Sequence, residues 1–426
     1  MELAIHFLFG NFAIMIEFSR FSLANGLRVI VHEDHTTPMA VVNVLYDVGA
    51  RDENPEKTGF AHMFEHLMFG GSINIPVYDS PLQMAGGENN AYTTSDLTDY
   101  YCRLPAENLE TAFWLESDRM LSLAFSRKSL NVQKKVVSEE FKENFINQPY
   151  GDAWHKLRAL AYRVHPYQWM TIGKDLSHIE SARLQDVKDF FFEHYTPANA
   201  ILTVAGNVSL DQVKSLAEKW FGEIPVRKKY ERHLPEEPVQ TEARFLEVTA
   251  DVPLDAIYKC WHGFSRTDAG FYSMDLLTDI LSGGNSSRLY QSLVKDKKLF
   301  SSISCYHTGS IDPGMVVIEG KLVRGVKIED GDAAIQEELE KMKNNPPDSP
   351  ELQKVKNGTE SSLAFEDVSL MNRALSLANY ELLGDANYIN TEWDLYNAVT
   401  TDDIVSTAKK IFRKENSSTL YYRKKN

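Results

Sequence analysis

The amino-acid sequence predicts an α+β protein made of two structurally similar domains, each a mostly antiparallel sheet packed against helices. Three observations support this fold class. A chain of 426 residues is too long for a single compact core. Strand-forming and helix-forming segments follow one another in blocks, which is typical of α+β proteins and not of a doubly wound parallel sheet. The ends of the two halves also resemble each other, which favours an internal duplication.

The first half begins with a predicted hairpin. Asn25-Gly26 is a strong signal for a hairpin turn, and apolar residues recur at alternate positions from Leu27 to Val31, as in a strand. Four further segments follow the hairpin. They are a β-branched strand, a helix, a Thr- and Tyr-rich strand region and a long helical stretch punctuated near Ser126, at residues 39–49, 58–68, 91–105 and 106–147.

A charged, proline-rich segment at residues 224–245 has the composition of a linker. We therefore predict domains at residues 15–226 and 244–426, joined by residues 227–243. A helix, a turn at Asn and a strand end both halves, which either marks a duplication of one fold or reflects the general similarity of such units. The matching residues, at a constant offset, are Asp186 and Asp403, Val187 and Ile404, Tyr195 and Phe412, and Asn199 and Asn416.

The bulk composition excludes several classes of protein. A net charge of −15 leaves no room for a large basic face, so nucleic acid is not an expected partner. The three cysteines are widely spaced and form no CxxC pair, and we expect Cys102, Cys260 and Cys305 to be buried as small apolar residues. No apolar run approaches the roughly 20 residues that span a bilayer, so no membrane partner is expected.

The N-terminal segment 1–21 contains an apolar run of signal-peptide length. Glu2 stands where a basic residue is expected, however, and no small-x-small cleavage site follows. Met15 is an alternative start of the chain. The sequence favours a cytoplasmic protein, with the periplasm as the alternative if residues 1–14 act as an atypical signal.

One short stretch, "HMFEH", places three ionisable side chains in an apolar helical run. His62 and His66 are four residues apart, so they share one helix face and both can reach one divalent ion. Glu65 lies beside them and can accept a proton from an activated water. A pair of solvated or helix-capping histidines is the alternative, but apolar neighbours make burial more plausible. A third ligand is expected at Glu139 or Glu140, and spacing alone does not choose between them.

The chain resembles the pitrilysin/insulinase family of zinc metallopeptidases, and within it the short mitochondrial-processing-peptidase-like and bacterial processing proteases. The resemblance runs from about residue 19 to residue 290, and the overall length and twofold organisation also fit. The matching segments are "HMFEHLMF", "GGENNAYTTSDLTDYY", "VVSEEFKEN", "QPYG", "HPY", "YTPANAILTVAGNV" and "GGNSSRLYQSLV".

The resemblance assigns a role to each site residue. It implies that His62, His66 and Glu140 hold one Zn²⁺ per chain, that Glu65 is the general base and that Glu139 points away. It also implies an edge strand that pairs with the peptide substrate by strand addition. Taken alone, the segment that matches this strand reads as a turn leading into a strand; its residues are Asn89, Asn90 and Ala91.

The sequence departs from the family in its second half. Members that carry a catalytic Arg and Tyr have them where this chain has Val294 and Ser301, while Arg288 and Tyr290 are out of register. We therefore expect a zinc endopeptidase that cleaves unfolded peptides in an enclosed chamber and needs a paralogous partner for the pair. The expected assembly is a heterodimer, with a homodimer as the alternative.

Two other functions are compatible with this sequence. The first is a non-peptidase scaffold or core-type subunit of the same fold that keeps the motif without the activity. The second is a helical metal-binding regulator, which would bind zinc but would have no use for Glu65. Zinc content and cleavage of a peptide distinguish these functions from an endopeptidase.

Overall fold

The first half of the chain forms a six-stranded sheet. The structure, a computed structural model, describes residues 15–425. The six strands are β1 Ser19–Ser22, β2 Arg28–Glu33, β3 Met39–Tyr46, β4 Glu88–Thr93, β5 Thr98–Pro105 and β6 Ala200–Gly206. Their order in the sheet is β1-β2-β6-β3-β5-β4, and only β2 and β6 run parallel.

The second half repeats this arrangement with five strands. They are β7 Arg244–Ala250, β8 Ala256–His262, β9 Phe300–His307, β10 Met315–Leu322 and β11 Ser417–Lys424. Their order is β7-β11-β8-β10-β9, again with a single parallel pair, β7 and β11. The second sheet thus matches the first from β2 to β4, which confirms the predicted α+β class with two similar, mostly antiparallel sheets.

The described residues also contain fourteen α-helices. In the first half they are α1 Phe60–Leu67, α2 Asp79–Met84, α3 Leu109–Leu121, α4 Arg127–Phe141, α5 Ala153–Ala161, α6 Leu176–Glu180, α7 Leu184–His194 and α8 Leu210–Phe221. In the second half they are α9 Phe271–Ser282, α10 Ile328–Asn344, α11 Ser349–Glu366, α12 Leu370–Leu382, α13 Tyr388–Ala398 and α14 Thr401–Ile411. In residues 15–425, no helix combines the length and the apolar character that crossing a membrane requires.

The repeated end segments are alike down to single hydrogen bonds. The side-chain amide of Asn199 donates to the last carbonyl of α7, at 3.0 Å, and to the carbonyl just after β3. Asn416 donates in the same way to the last carbonyls of α14, at 2.9 Å, and of β8. Asp186 and Asp403 each accept a hydrogen bond from the backbone N–H of the residue that caps the start of their own helix. Such shared detail goes beyond the general similarity of helix-turn-strand units.

Each sheet is covered on its second face by a helix from the other half. Helix α12 packs on β3 and β6 of the first sheet, where Leu377 is fully buried. Helix α5 packs on β8 and β11 of the second sheet, where Leu157 is fully buried. The two helices occupy equivalent places in the duplicated sequence. The halves have therefore exchanged one helix each, and each sheet depends on both.

The local predictions can be compared with the structure directly. The hairpin turns at Asn25-Gly26, with Gly26 at a φ of 91°, and Ser126 caps the start of α4. The three cysteines are buried and free. Residues 225–243 contain no helix or strand, while the exact domain boundaries stay a prediction. The segment 1–14, on which the predicted location depends, lies outside the described residues.

Candidate active site

Helix α1 carries His62, Glu65 and His66, and its start is fixed by a buried carboxylate. Gly59 precedes the helix at a φ of 87°, where a Cβ would lie 2.6 Å from a backbone carbonyl. The Glu53 carboxylate accepts hydrogen bonds from the N–H groups of Gly59 and Ala61, at 2.9 and 2.8 Å. Burial raises the pKa of Glu53 to about 8. The hydrogen bonds to Glu53 fix the rotation of α1 about its axis and its position along that axis.

The two histidines face a glutamate on α4. Their rings are nearly perpendicular, with centroids 4.9 Å apart. The Nε2 atom of His62 lies 3.8 Å from one carboxylate oxygen of Glu140, and the Nε2 atom of His66 lies 3.5 Å from the other. The ligand atoms of these three residues lie within 4.8 Å of one another, and no other such group occurs in the part of the chain that the structure describes.

The spacing of these atoms fits a tetrahedral metal ion better than direct hydrogen bonds. A hydrogen bond would bring nitrogen and oxygen closer than these distances. Two ligand atoms at about 2.1 Å from one ion lie about 3.4 Å apart in a tetrahedral site. Burial, with a contribution from His66, lowers the pKa of His62 to about 4, so this imidazole is neutral at pH 7 with a lone pair to donate. Two nitrogens and one carboxylate are a donor set that zinc accepts, with the fourth position open.

Of the two adjacent glutamates, only Glu140 faces the histidines. Glu140 lies in the last turn of α4, which continues as one π-helical stretch at Lys142–Ile146. The Glu139 carboxylate instead accepts a hydrogen bond from the Lys142 ammonium at 2.8 Å, on the exposed side of the helix. The geometry therefore separates two residues that sequence spacing could not.

Glu65 is held by a residue that the sequence reasoning missed. The Thr93 hydroxyl donates a hydrogen bond of 2.6 Å to Oε2 of Glu65. Thr93 is the last residue of β4, two positions after the segment that was singled out for substrate binding. The pattern "NNAYT" offered a signal, because alternate residues of a strand share one side of it. Glu53 was also missed, because nothing in the sequence connects it with the motif that begins at His62.

Strand β4 is the edge of its sheet. It pairs with β5 on one side and has no strand on the other side among residues 15–425. The Asn89 amide donates to the Asp79 carboxylate at 2.9 Å, which ties the start of β4 to α2. The Ala91 N–H donates to the Asn90 side-chain oxygen at 2.8 Å, which places that N–H on the free edge. The structure thus brings Asn89, Asn90 and Ala91 to an unpaired sheet edge beside α1.

The second half lacks the family's Arg and Tyr at the expected positions. Val294 packs against the core of the second half, and the Ser301 hydroxyl donates to the backbone carbonyl of Lys321 at 3.0 Å. Arg288 forms a bidentate ion pair with Glu351, at 2.9 and 2.7 Å. Arg288 therefore holds two helical segments together and does not replace the missing guanidinium.

Comparison with known proteins identifies the family. Residues 28–173 match the family model described as "Insulinase (Peptidase family M16)". Residues 181–359 match the model described as "Peptidase M16 inactive domain", so the two matches together span about three quarters of the chain. The chain belongs to peptidase family M16. Its recognition as a member of the pitrilysin/insulinase family is confirmed.

Several M16 relatives are similar over nearly the whole chain. Zinc protease PqqE of Helicobacter pylori is 29% identical, covering 94% of this chain and 91% of its own length. An uncharacterized zinc protease, YmxG of Bacillus subtilis, is 27% identical, covering 93% of this chain and 96% of its own. The crystal structure of a protease from Helicobacter pylori superposes with a TM-score of 0.89 at 28% identity, covering 96% of this chain and all of that one.

Other M16 similarities cover part of a longer or different protein. The structure of pitrilysin matches with a TM-score of 0.78 at 18% identity, covering 96% of this chain and 45% of that chain, which shows a shared fold. The mitochondrial-processing peptidase subunit beta of Saccharomyces cerevisiae is 28% identical over 206 residues, which is 48% of this chain and 44% of that protein. This chain is therefore similar to M16 zinc proteases along its length and to a named subunit over about half of its length.

Proposed function

We propose that this chain is a zinc-dependent endopeptidase that cleaves unfolded peptides inside a chamber closed with a partner subunit. The observation that carries the proposal is the convergence of His62, His66 and Glu140, with Glu65 beside them and next to a free sheet edge. The whole-length similarity to proteins named zinc proteases supports the same activity.

Each residue of the site has a distinct task in peptide hydrolysis. His62, His66 and Glu140 would hold one zinc ion per chain, which would supply Lewis-acid polarisation of a carbonyl and acidification of water. Glu65 accepts the proton of the attacking water at its carboxylate and delivers it to the leaving amine. Its Oε2 atom is already engaged by Thr93, so Oε1 is the oxygen that exchanges the proton.

The edge strand β4 binds the peptide main chain. An extended peptide adds to β4 as a further strand, and its carbonyl replaces the Asn90 side-chain oxygen as the acceptor of the Ala91 N–H. Main-chain hydrogen bonds supply most of the affinity, so many sequences are accepted. An unfolded peptide can adopt the extended conformation that pairing with β4 requires, so unfolded peptides are the proposed substrates.

The missing Arg/Tyr pair points to a partner. Neither a valine at position 294 nor a serine at position 301 donates hydrogen bonds as a guanidinium or a phenol does. A paralogous chain that carries the pair would complete the site when two chains close over the substrate. Relatives that are themselves named as subunits support this proposal. A homodimer is the alternative if another residue stands in for the pair.

The test combines metal analysis with cleavage of a quenched, unfolded peptide. We expect about one zinc per chain and weak cleavage by the chain alone, because losing an oxyanion donor typically costs about 10²–10³ in rate. Adding the paralogue should restore activity, and changing that paralogue's Arg and Tyr to Ala and Phe should remove it. Full activity of the isolated chain would overturn the partner requirement. Absence of cleavage with zinc and partner present would favour the scaffold function.

The variant Glu65→Gln measures the background rate of hydrolysis in this assay. It removes the proton acceptor and keeps the size of the side chain, so we expect normal zinc content and hydrolysis reduced at least about 100-fold. Turnover above about one per cent of the wild-type rate would show that Glu65 has only a structural role.

A further inference from the structure

Thr93 connects the peptide-binding strand to the base. Its Oγ1 atom lies 2.6 Å from Oε2 of Glu65, within the range of a strong hydrogen bond from a hydroxyl to a carboxylate. A threonine hydroxyl has a single proton, so this contact uses its whole donor capacity. Among residues 15–425, no other group donates a hydrogen bond to the Glu65 carboxylate. Thr93 is thus what fixes the orientation of Glu65.

The main chain of Thr93 lies on the same strand that receives the peptide. The Ala91 N–H points to the free edge of β4. Because N–H groups of a strand alternate in direction, the N–H of Thr93, two residues later, points to the same free edge. Thr93 therefore has its backbone N–H at the edge proposed to bind the peptide, and its side chain is hydrogen-bonded to the proposed base Glu65.

We propose that Thr93 is a positioning residue that sets the distance and orientation of Glu65 relative to a peptide added to β4. This inference rests on the proposed function and deepens it. A peptide that pairs with β4 in a fixed register has its main chain at a fixed position relative to Thr93. The Thr93 hydroxyl then holds Oε2 of Glu65, so Oε1 meets the scissile bond from one direction.

The test replaces the hydroxyl and then restores it. Thr93→Val keeps the shape of the side chain and removes the donor, whereas Thr93→Ser keeps the donor. We expect Thr93→Val to lower kcat roughly 10- to 100-fold with KM changed less than about twofold, because a misplaced base affects the transition state and not peptide binding. Thr93→Ser should keep kcat within about threefold of wild type. Zinc content should be normal in both variants, since Thr93 makes no hydrogen bond to His62, His66 or Glu140.

Thr94→Val is the matched control. Thr94 is the next residue, but its hydroxyl bonds the turn at the N–H groups of Asp96 and Leu97 and does not touch Glu65. We expect its kcat to stay within about twofold of wild type. Equal losses in Thr93→Val, Thr93→Ser and Thr94→Val would show a general effect on the strand and overturn the proposal.

The assay also separates this proposal from the function on which it rests. If the wild-type chain with its partner cleaves the peptide and Thr93→Val is equally active, Thr93 has no positioning role and the peptidase function stands. If the zinc-loaded wild type cleaves nothing with any partner, the peptidase function fails and the role of Thr93 fails with it.

Discussion

The same structural position carries a candidate metal site in one half of the molecule and a closed hydrogen-bond network in the other. Helix α1 follows β3, and α9 follows the equivalent strand β8. Both helices place two polar residues four apart, His62 and His66 on α1, and Asp275 and Asp279 on α9. In the second half, the Asp275 carboxylate accepts hydrogen bonds from Tyr396 at 2.5 Å and contacts His307 Nε2 at 2.9 Å.

The two halves differ in whether their polar side chains form hydrogen bonds with one another. Asp275 has its partners within the second half, and burial together with Asp275 raises the pKa of Asp279 to about 6. In the first half, the nitrogens of His62 and His66 and the Glu140 carboxylate stand too far apart to bond, yet close enough to share an ion. A duplicated fold can therefore keep its backbone in both copies while only one copy leaves donor atoms for a metal.

The largest expected effect is the loss of metal from Glu140→Gln. An amide is a poor zinc ligand compared with a carboxylate, so we expect zinc affinity to fall at least about 100-fold, beyond what the loss of an outer hydrogen bond costs. Glu139→Gln is the control, because its side chain bonds Lys142 and faces away. Zinc content after dialysis against a chelator measures both. Retention of zinc by Glu140→Gln, or its loss from Glu139→Gln, would reverse the assignment.

The second effect concerns the exchanged helices. Leu377 of α12 is fully buried against the first sheet, so Leu377→Ala should lower the free energy of unfolding by roughly 2–5 kcal/mol. Because each sheet is covered by a helix from the other half, we expect both halves to unfold in one transition. Leu395→Ala is the control, since Leu395 is 40% exposed on α13. Two separate unfolding transitions in the wild type would show that the exchange does not couple the halves.

The smallest effect compares the two halves most directly. Asn199→Ala and Asn416→Ala each remove two hydrogen bonds to backbone carbonyls at the ends of a helix and a strand. We expect each to lower the free energy of unfolding by roughly 1–3 kcal/mol, and by similar amounts, because the bonds are equivalent. Denaturant titration of both variants measures this. A clearly smaller loss of unfolding free energy at one position would show that the repeats are equivalent in geometry but not in energy.

The sequence predicted the features that depend on neighbouring residues. The turn at Asn25-Gly26, the helix that carries His62 and His66, and the break at Ser126 follow from local backbone and capping preferences. The choice of Glu140 over Glu139 needed either the family resemblance or the direction of α4 in three dimensions. Thr93 was missed because its contact with Glu65 joins a strand and a helix that are separated in sequence by a further helix, α2.

The exchange of α5 and α12 was beyond the reach of sequence patterns for a different reason. An apolar face on a helix shows that the helix is buried, but does not say which sheet buries it. Both helices lie within their own half in sequence, before its last strand, and cover the sheet of the other half. A linker at residues 227–243 suggests two independent units, whereas the packing makes them depend on each other.

Helix exchange also has a consequence for the order in which the chain is made. The first sheet is complete once β6 has emerged from the ribosome, yet the helix that covers its second face begins about 160 residues later. At about 5–20 residues per second, the sheet waits roughly 10–30 s with apolar residues such as Leu45 and Ile201 facing water. The nascent chain thus passes through an aggregation-prone stage. A chaperone that shields this face until residue 382 is synthesised would prevent aggregation.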